Sequence, residues 1–158
     1  MRHAIVPVLA AALLGAAGLA APAAAEEIGT ASYQFKWFGP NDKIRVEAFD
    51  DPEVPGVACY LSRATSGGVS GALGLAEDPG EASIACRQVG PIDREKAKRL
   101  RNGREVFERG ASIVWKKTQV VRFYDAKRDV LVYLAYTDRL IDGSPRNSLS
   151  VVPLGWPR

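Results

Sequence analysis

Hydrophobic and polar positions alternate with a period of two through most of this chain. In DKIRVEAFDD, Ile44, Val46 and Ala48 fall on one face while Arg45 and Glu47 fall on the other. That alternation marks a half-buried strand. The preceding ASYQFKWFG sets Tyr33, Phe35 and Trp37 against Gln34 and Lys36, which marks another. Gly39, Pro40, Asn41 and Asp42 between the two are turn formers, so the pair is expected to form a hairpin.

The pattern continues downstream. GVACYLSRA puts Val57, Cys59 and Leu61 on one face, after an irregular entry through Pro52 and Pro55. ASIACRQVG puts Ile84 and Cys86 on one face. In KTQVVRFYD, Gln119, Val121 and Phe123 alternate with Val120, Arg122 and Tyr124. Val130 to Tyr136 is almost continuously apolar, which predicts a central strand buried on both faces. NSLSVVPL closes the series with Leu149 and Val151 on one face, and Pro153 and Pro157 make the tail a poor ladder partner. PIDREKAKRLRNG breaks the period. Asp93 as a cap, Gly103 as a stop and a thin stripe of Ile92, Ala97 and Leu100 predict one short surface helix. Seven or eight strands, one helix and no repeat predict a mainly β domain, an antiparallel sandwich or barrel-like sheet. A mixed α+β domain is the alternative.

The N-terminus adds a location. Arg2 and His3 precede an apolar run from Ile5 to Ala21, then Ala23-Ala24-Ala25 and the charged pair Glu26-Glu27. That order is a secretory signal peptide cleaved between Ala25 and Glu26. An uncleaved anchor is the alternative, but the small-residue site favours removal. Residues 1–25 then form the signal peptide and 26–158 a single domain of 133 residues, enough for a core and without a transmembrane segment. The destination is the periplasm of a Gram-negative-type envelope. Loss of Arg2 takes the net charge from +3 to +2, too mildly basic for a dedicated nucleic-acid binder.

Export changes the meaning of two residue types. The chain has two cysteines, Cys59 and Cys86, and an exported chain with an even count is expected to pair them. On the chain-entropy model such a loop stabilises by roughly 3–4 kcal/mol. Two free thiols are the alternative. The chain's one histidine, His3, leaves with the signal peptide. The mature protein therefore runs no Ser-His-Asp or Cys-His mechanism and builds no histidine-based metal site.

Longer strings carry a resemblance. FGPNDKIRVEAFDDPEVPGVACYLSRATSGGVSGALGLAED, then IACRQVGPI, then VVRFYDAKRDVLVYLAYTDRLIDGSPRNSLSVVPL resemble the CreA family of bacterial periplasmic proteins. The resemblance covers nearly the whole mature chain and implies a small exported protein. It brings no cofactor and no catalytic residue.

The remaining candidates are weighed on their own chemistry. TSGGVSGALGLAED, residues 65–78, is rich in glycine, but no lysine follows from Val69 to Ala82, and Glu77 and Asp78 would repel a phosphate. It reads as a connection, not a P-loop. Asp50, Asp51 and Glu53 form one carboxylate cluster, and Glu77, Asp78 and Glu81 another. Two such groups could hydrolyse a glycan without histidine, or hold Ca²⁺ through oxygen, though no spacing matches a calcium loop. Arg94, Lys96, Lys98, Arg99, Arg101 and Arg104 form a basic run that could meet an anionic lipid or polysaccharide, or simply solvate a surface. The aromatic residues fit core packing, with Trp156 as a possible contact near the C-terminus. The leading expectation is a non-enzymatic binding or accessory protein of the envelope that uses no cofactor or metal. Its partner would be a protein or an envelope component. The alternative is a carboxylate-based hydrolase acting on an envelope glycan.

Overall fold

Two four-stranded antiparallel sheets face each other across the core. The computed structural model describes residues 24–34, 42–65, 82–110, 117–137 and 146–155. The first sheet holds β1 (Glu26–Gln34), β2 (Asp42–Asp50), β3 (Val57–Thr65) and β4 (Ser83–Gln88) in that order. The helix α1 (Arg94–Lys98) follows. The second sheet holds β5 (Arg104–Gly110), β6 (Lys117–Asp125), β7 (Val130–Thr137) and β8 (Asn147–Pro153), again in sequence order. This is the mainly β sandwich that the alternation predicts. Sequential neighbours pair with sequential neighbours, so every ladder is an antiparallel one between adjacent strands.

The core lies between the inner faces. Phe49 of β2 stacks on Phe107 of β5, with ring centroids 4.3 Å apart. Around them sit Val57, Cys59 and Leu61 from β3, Ile84 from β4, Val120 from β6, Leu131, Tyr133 and Ala135 from β7, and Val152 from β8. Offset stacking of two rings across the gap adds about 0.5–1.5 kcal/mol beyond the area buried. Cys59 faces Cys86 directly in the β3–β4 register, and the two form a disulfide across neighbouring strands.

The helix starts where its sequence predicts but stops short of Gly103, ending at Lys98 with Arg99 as its C-cap. Asp93 caps it, accepting the Lys96 N–H at 3.0 Å, and Ala97 is buried while Ile92 and Leu100 pack against the core. Arg104 belongs to β5 rather than to the helix. Gly56 closes the β2–β3 turn at φ +104°, and a Cβ there would meet the Pro91 carbonyl oxygen at 2.6 Å. The Gly56 carbonyl in turn accepts the Val89 and Gly90 N–H groups, so this glycine lets two loops touch backbone to backbone.

Three expectations are corrected. β1 opens at Glu26, earlier than the alternation of residues 31–39 suggests; Phe35 and Trp37 lie outside the described residues. On β2 the faces are inverted. Glu47 and Phe49 are buried, whereas Ile44 is exposed and Val46 and Ala48 are half-buried. Phe49 shares its phase with Glu47, and the bulkiest side chain decides which phase turns inward. On β7 the inner residues Leu131, Tyr133, Ala135 and Thr137 are buried, but Val130, Val132, Leu134 and Tyr136 are half-buried on the outer face. The strand is central, as expected, but it is not buried on both faces.

Candidate functional site

Charge lies inside this sandwich, and it comes in two clusters. The first is at the β2–β3 turn. Asp51 follows β2 directly, and its side chain accepts the backbone N–H groups of Glu53 at 2.9 Å and Val54 at 3.1 Å. That is an Asx-type turn, which short acidic side chains form readily. The same carboxylate accepts Arg122 Nη1 at 2.7 Å on both oxygens and the Tyr133 hydroxyl at 2.8 Å. Arg122 Nη2 donates to Glu53 at 2.6 Å, and Arg104 stands 3.9 Å from the same Glu53 oxygen. Arg122 is 1% exposed and Asp51 is 1% exposed. Burial works against the Arg122 cation, but the hydrogen bonds and charges of Asp51 and Glu53 outweigh it and hold the guanidinium above its ordinary pKa. Burial, then the neighbouring Asp51 charge, pushes the Tyr133 phenol far above the usual tyrosine range.

The second cluster lies toward the other end of β2. Glu47, 2% exposed, accepts Arg63 Nε at 3.0 Å and pairs with Arg109 at 3.3 Å. Arg45 of β2 pairs with Glu27 of β1 at 3.3 Å. The Thr118 hydroxyl is fully buried and makes no hydrogen bond. In the register Thr118 lies between Arg109 and Thr137.

The carboxylates singled out by sequence thus separate. Asp51 and Glu53 converge on Arg122, while Asp50 is exposed on β2. Glu77, Asp78 and Glu81, together with the glycine-rich stretch from Ser66, lie outside the described residues, as do the signal segment up to Ala23 and Trp156. The basic run disperses. Arg94 bonds Asp129, Lys98 pairs with Glu95 at 3.1 Å and Arg104 reaches toward Glu53, while Lys96, Arg99 and Arg101 are exposed. Asp129, held below the usual carboxylate range by Arg94 and then by Tyr124, joins the helix to the β6–β7 turn.

Two surfaces among the described residues bear on function. The outer face of the second sheet carries Val121, Leu134 and Leu149 in one row and Phe123, Val132 and Val151 in the next. Leu149 is 58% exposed, Val151 46% and Phe123 37%. The other surface is the seam where the sheets meet at β4 and β8. Antiparallel pairs alternate between bonded and non-bonded, so the N–H groups of Ile84 and Cys86 turn away from β3. They are taken by side chains instead of a ladder: Ser148 Oγ accepts Ile84 N–H at 3.1 Å, and Ser150 Oγ accepts Cys86 N–H at 2.7 Å. The next inward position of β8 is Val152, which has no hydroxyl to continue the series. There the edges part around a cavity of about 290 Å³, lined by Cys86, Arg87, Gln88, Val151, Val152 and Pro153. Among the described residues no helix is long and apolar enough to cross a membrane.

Sequence reasoning picked out Asp51 and Glu53 but missed their partner Arg122, and it missed the Glu47 cluster altogether. The available signal was phase: Glu47 and Asp51 share the phase of Phe49, and Arg122 shares that of Val120.

These features define a small, disulfide-tied antiparallel sandwich with arginine–carboxylate clusters in its interior. The chain belongs to the CreA family: the family described as "CreA protein" matches residues 28–156. It is 55% identical over 134 residues to "Protein CreA" of Escherichia coli K12, a match covering 82% of this chain and 84% of the relative. The proteins of the same name from Escherichia coli O6:H1 and O157:H7 match to the same extent, 55% over 134 residues. No solved structure matches the chain.

Proposed function

We propose that this protein is exported to the periplasm, loses residues 1–25, and acts there by binding rather than by catalysis. Its contact surface is the outer face of the second sheet, and its partner is an amphipathic helix of another envelope protein. The observation that carries this reading is the apolar double row on that face, in which Leu149, Val151 and Phe123 are exposed, Val132 and Leu134 are half-buried and Val121 is buried. A sheet face that is apolar calls for a second layer. Three strands are about 10 Å wide, the width of one helix. At its border stand charges of both signs, Lys117 with Glu108 and Arg128 with Asp125. Paired charges suit a protein rather than an anionic lipid, so the basic run of Arg94, Lys96, Lys98, Arg99, Arg101 and Arg104 is left as solvated surface.

Two further facts support the reading. β1 opens at Glu26, so cleavage after Ala25 leaves every described strand whole. Asp51, Glu53 and Glu47, the inward-facing acids that a glycan hydrolase would use, are each bound to arginine.

A photo-crosslinking residue at Leu149, expressed in the native host, tests it. The expected adduct is one defined envelope protein, joined through a helix and lost in Leu149→Glu/Val151→Glu at unchanged folding. A lipid adduct, a dimer of this chain, or an adduct that survives the double substitution would overturn it.

A further inference from the structure

We propose that Cys86 is a thiol-exchange site, and that the seam cavity is where an incoming anionic thiolate reaches it. The two cysteines of the disulfide are not equally buried. Cys59 is 0% exposed, flanked on the inner face of β3 by the equally buried Val57 and Leu61. A nucleophile reaches Cys59 only through the core. Cys86 is half-buried and lines the cavity between β4 and β8. At about 290 Å³ that cavity admits a small thiol, and the exposed Arg87 on its wall favours the thiolate form that does the attacking.

The step balances without any other reagent. The thiolate sulfur bonds to Cys86 Sγ, the bond to Cys59 Sγ breaks, and its electron pair leaves on Cys59, which takes up a proton. The product is a mixed disulfide on Cys86 and a thiol on Cys59. Cys59 is then the resolving group: its attack on Cys86 Sγ expels the thiolate and restores the starting bond. Burial of Cys59 in apolar surroundings disfavours its thiolate, so the exchange is slow but local. β4 stays in place meanwhile, because its ladder to β3 and the Ser148 and Ser150 hydroxyls do not involve sulfur.

The probe is reduced glutathione with the folded, oxidised protein, quenched in acid, alkylated and mapped by mass spectrometry. The expected result is glutathione on Cys86 and alkylation on Cys59, at a rate first order in glutathione and flat across sub-denaturing urea. Val151→Trp, which narrows the mouth, should slow the reaction roughly tenfold at unchanged Tm. Arg87→Glu should slow glutathione several-fold at low salt but not the cationic thiol cysteamine. Glutathione on Cys59, a rate that climbs with the unfolded fraction, or a rate indifferent to both substitutions would each overturn the proposal.

Discussion

Arg122 grips the carboxylate of Asp51 at 2.7 Å from both oxygens, across 71 residues of sequence and from one sheet to the other. The contact joins β6 to the turn after β2, and Tyr133 of β7 completes it. It makes the two sheets depend on each other at a point where hydrophobic packing alone would let them slide.

That dependence is measurable. Removing one partner strands the other as a buried, unpaired charge, which typically costs about 3–5 kcal/mol. Asp51→Asn and Arg122→Met should each destabilise by that order in urea denaturation. The double variant should cost well under the sum, since the second change removes the group the first left unpaired. Additive losses would show that the two side chains do not act as a pair.

The inverted face of β2 makes an opposite forecast. Glu47 and Arg63 lie inside where the alternation expects apolar residues. A buried ion pair replaced by apolar residues of similar volume is often neutral or stabilising by about 1–4 kcal/mol. Glu47→Leu alone should destabilise. Glu47→Leu with Arg63→Leu should recover most or all of the loss, because Arg109 can turn to solvent. Chemical denaturation of the three proteins decides it.

Thr118 offers a simpler gain. Its hydroxyl is buried without a partner. Such a group costs about 1–3 kcal/mol of desolvation. Thr118→Val keeps the shape and should raise stability by about 1 kcal/mol, read as a higher Tm. A fall in Tm would mean the hydroxyl is bonded in solution.

Alkaline pH should probe the first cluster. Tyr133 is neutral in the fold because burial and Asp51 raise its pKa, whereas in the unfolded chain a tyrosine ionises near about 10. The raised native value means its contribution is complete below pH of about 10 and shrinks as pH rises, by about 1.4 kcal/mol per unit. Absorbance of tyrosinate should therefore show Tyr133 silent until the protein unfolds. Tyr133→Phe should flatten the alkaline slope of stability.

The strands, the turn after Asp125, the capped start of the helix and the pairing of the cysteines were legible because each rests on local chemistry. Asp93 caps its own helix, and Cys59 and Cys86 each point the way their apolar neighbours on the same strand point. The pairing of charges was not legible, because each partner lies on a different strand: Asp51 and Glu53 read as a carboxylate cluster with no arginine beside it, and Glu47 looks solvent-facing until Arg63 and Arg109 arrive.

By itself the sequence determined period, turn and composition: a mainly β protein with two cysteines and one histidine. Tertiary structure alone decided which phase of β2 faces inward, which face of β7 stays open, and which cysteine of the disulfide lines the seam cavity. The reason is that alternation defines two faces without saying which one is covered. That choice is made by groups distant in sequence, where the stacking of Phe49 on Phe107 and the neutralising of Glu47 by arginine outweigh the exposure of Ile44.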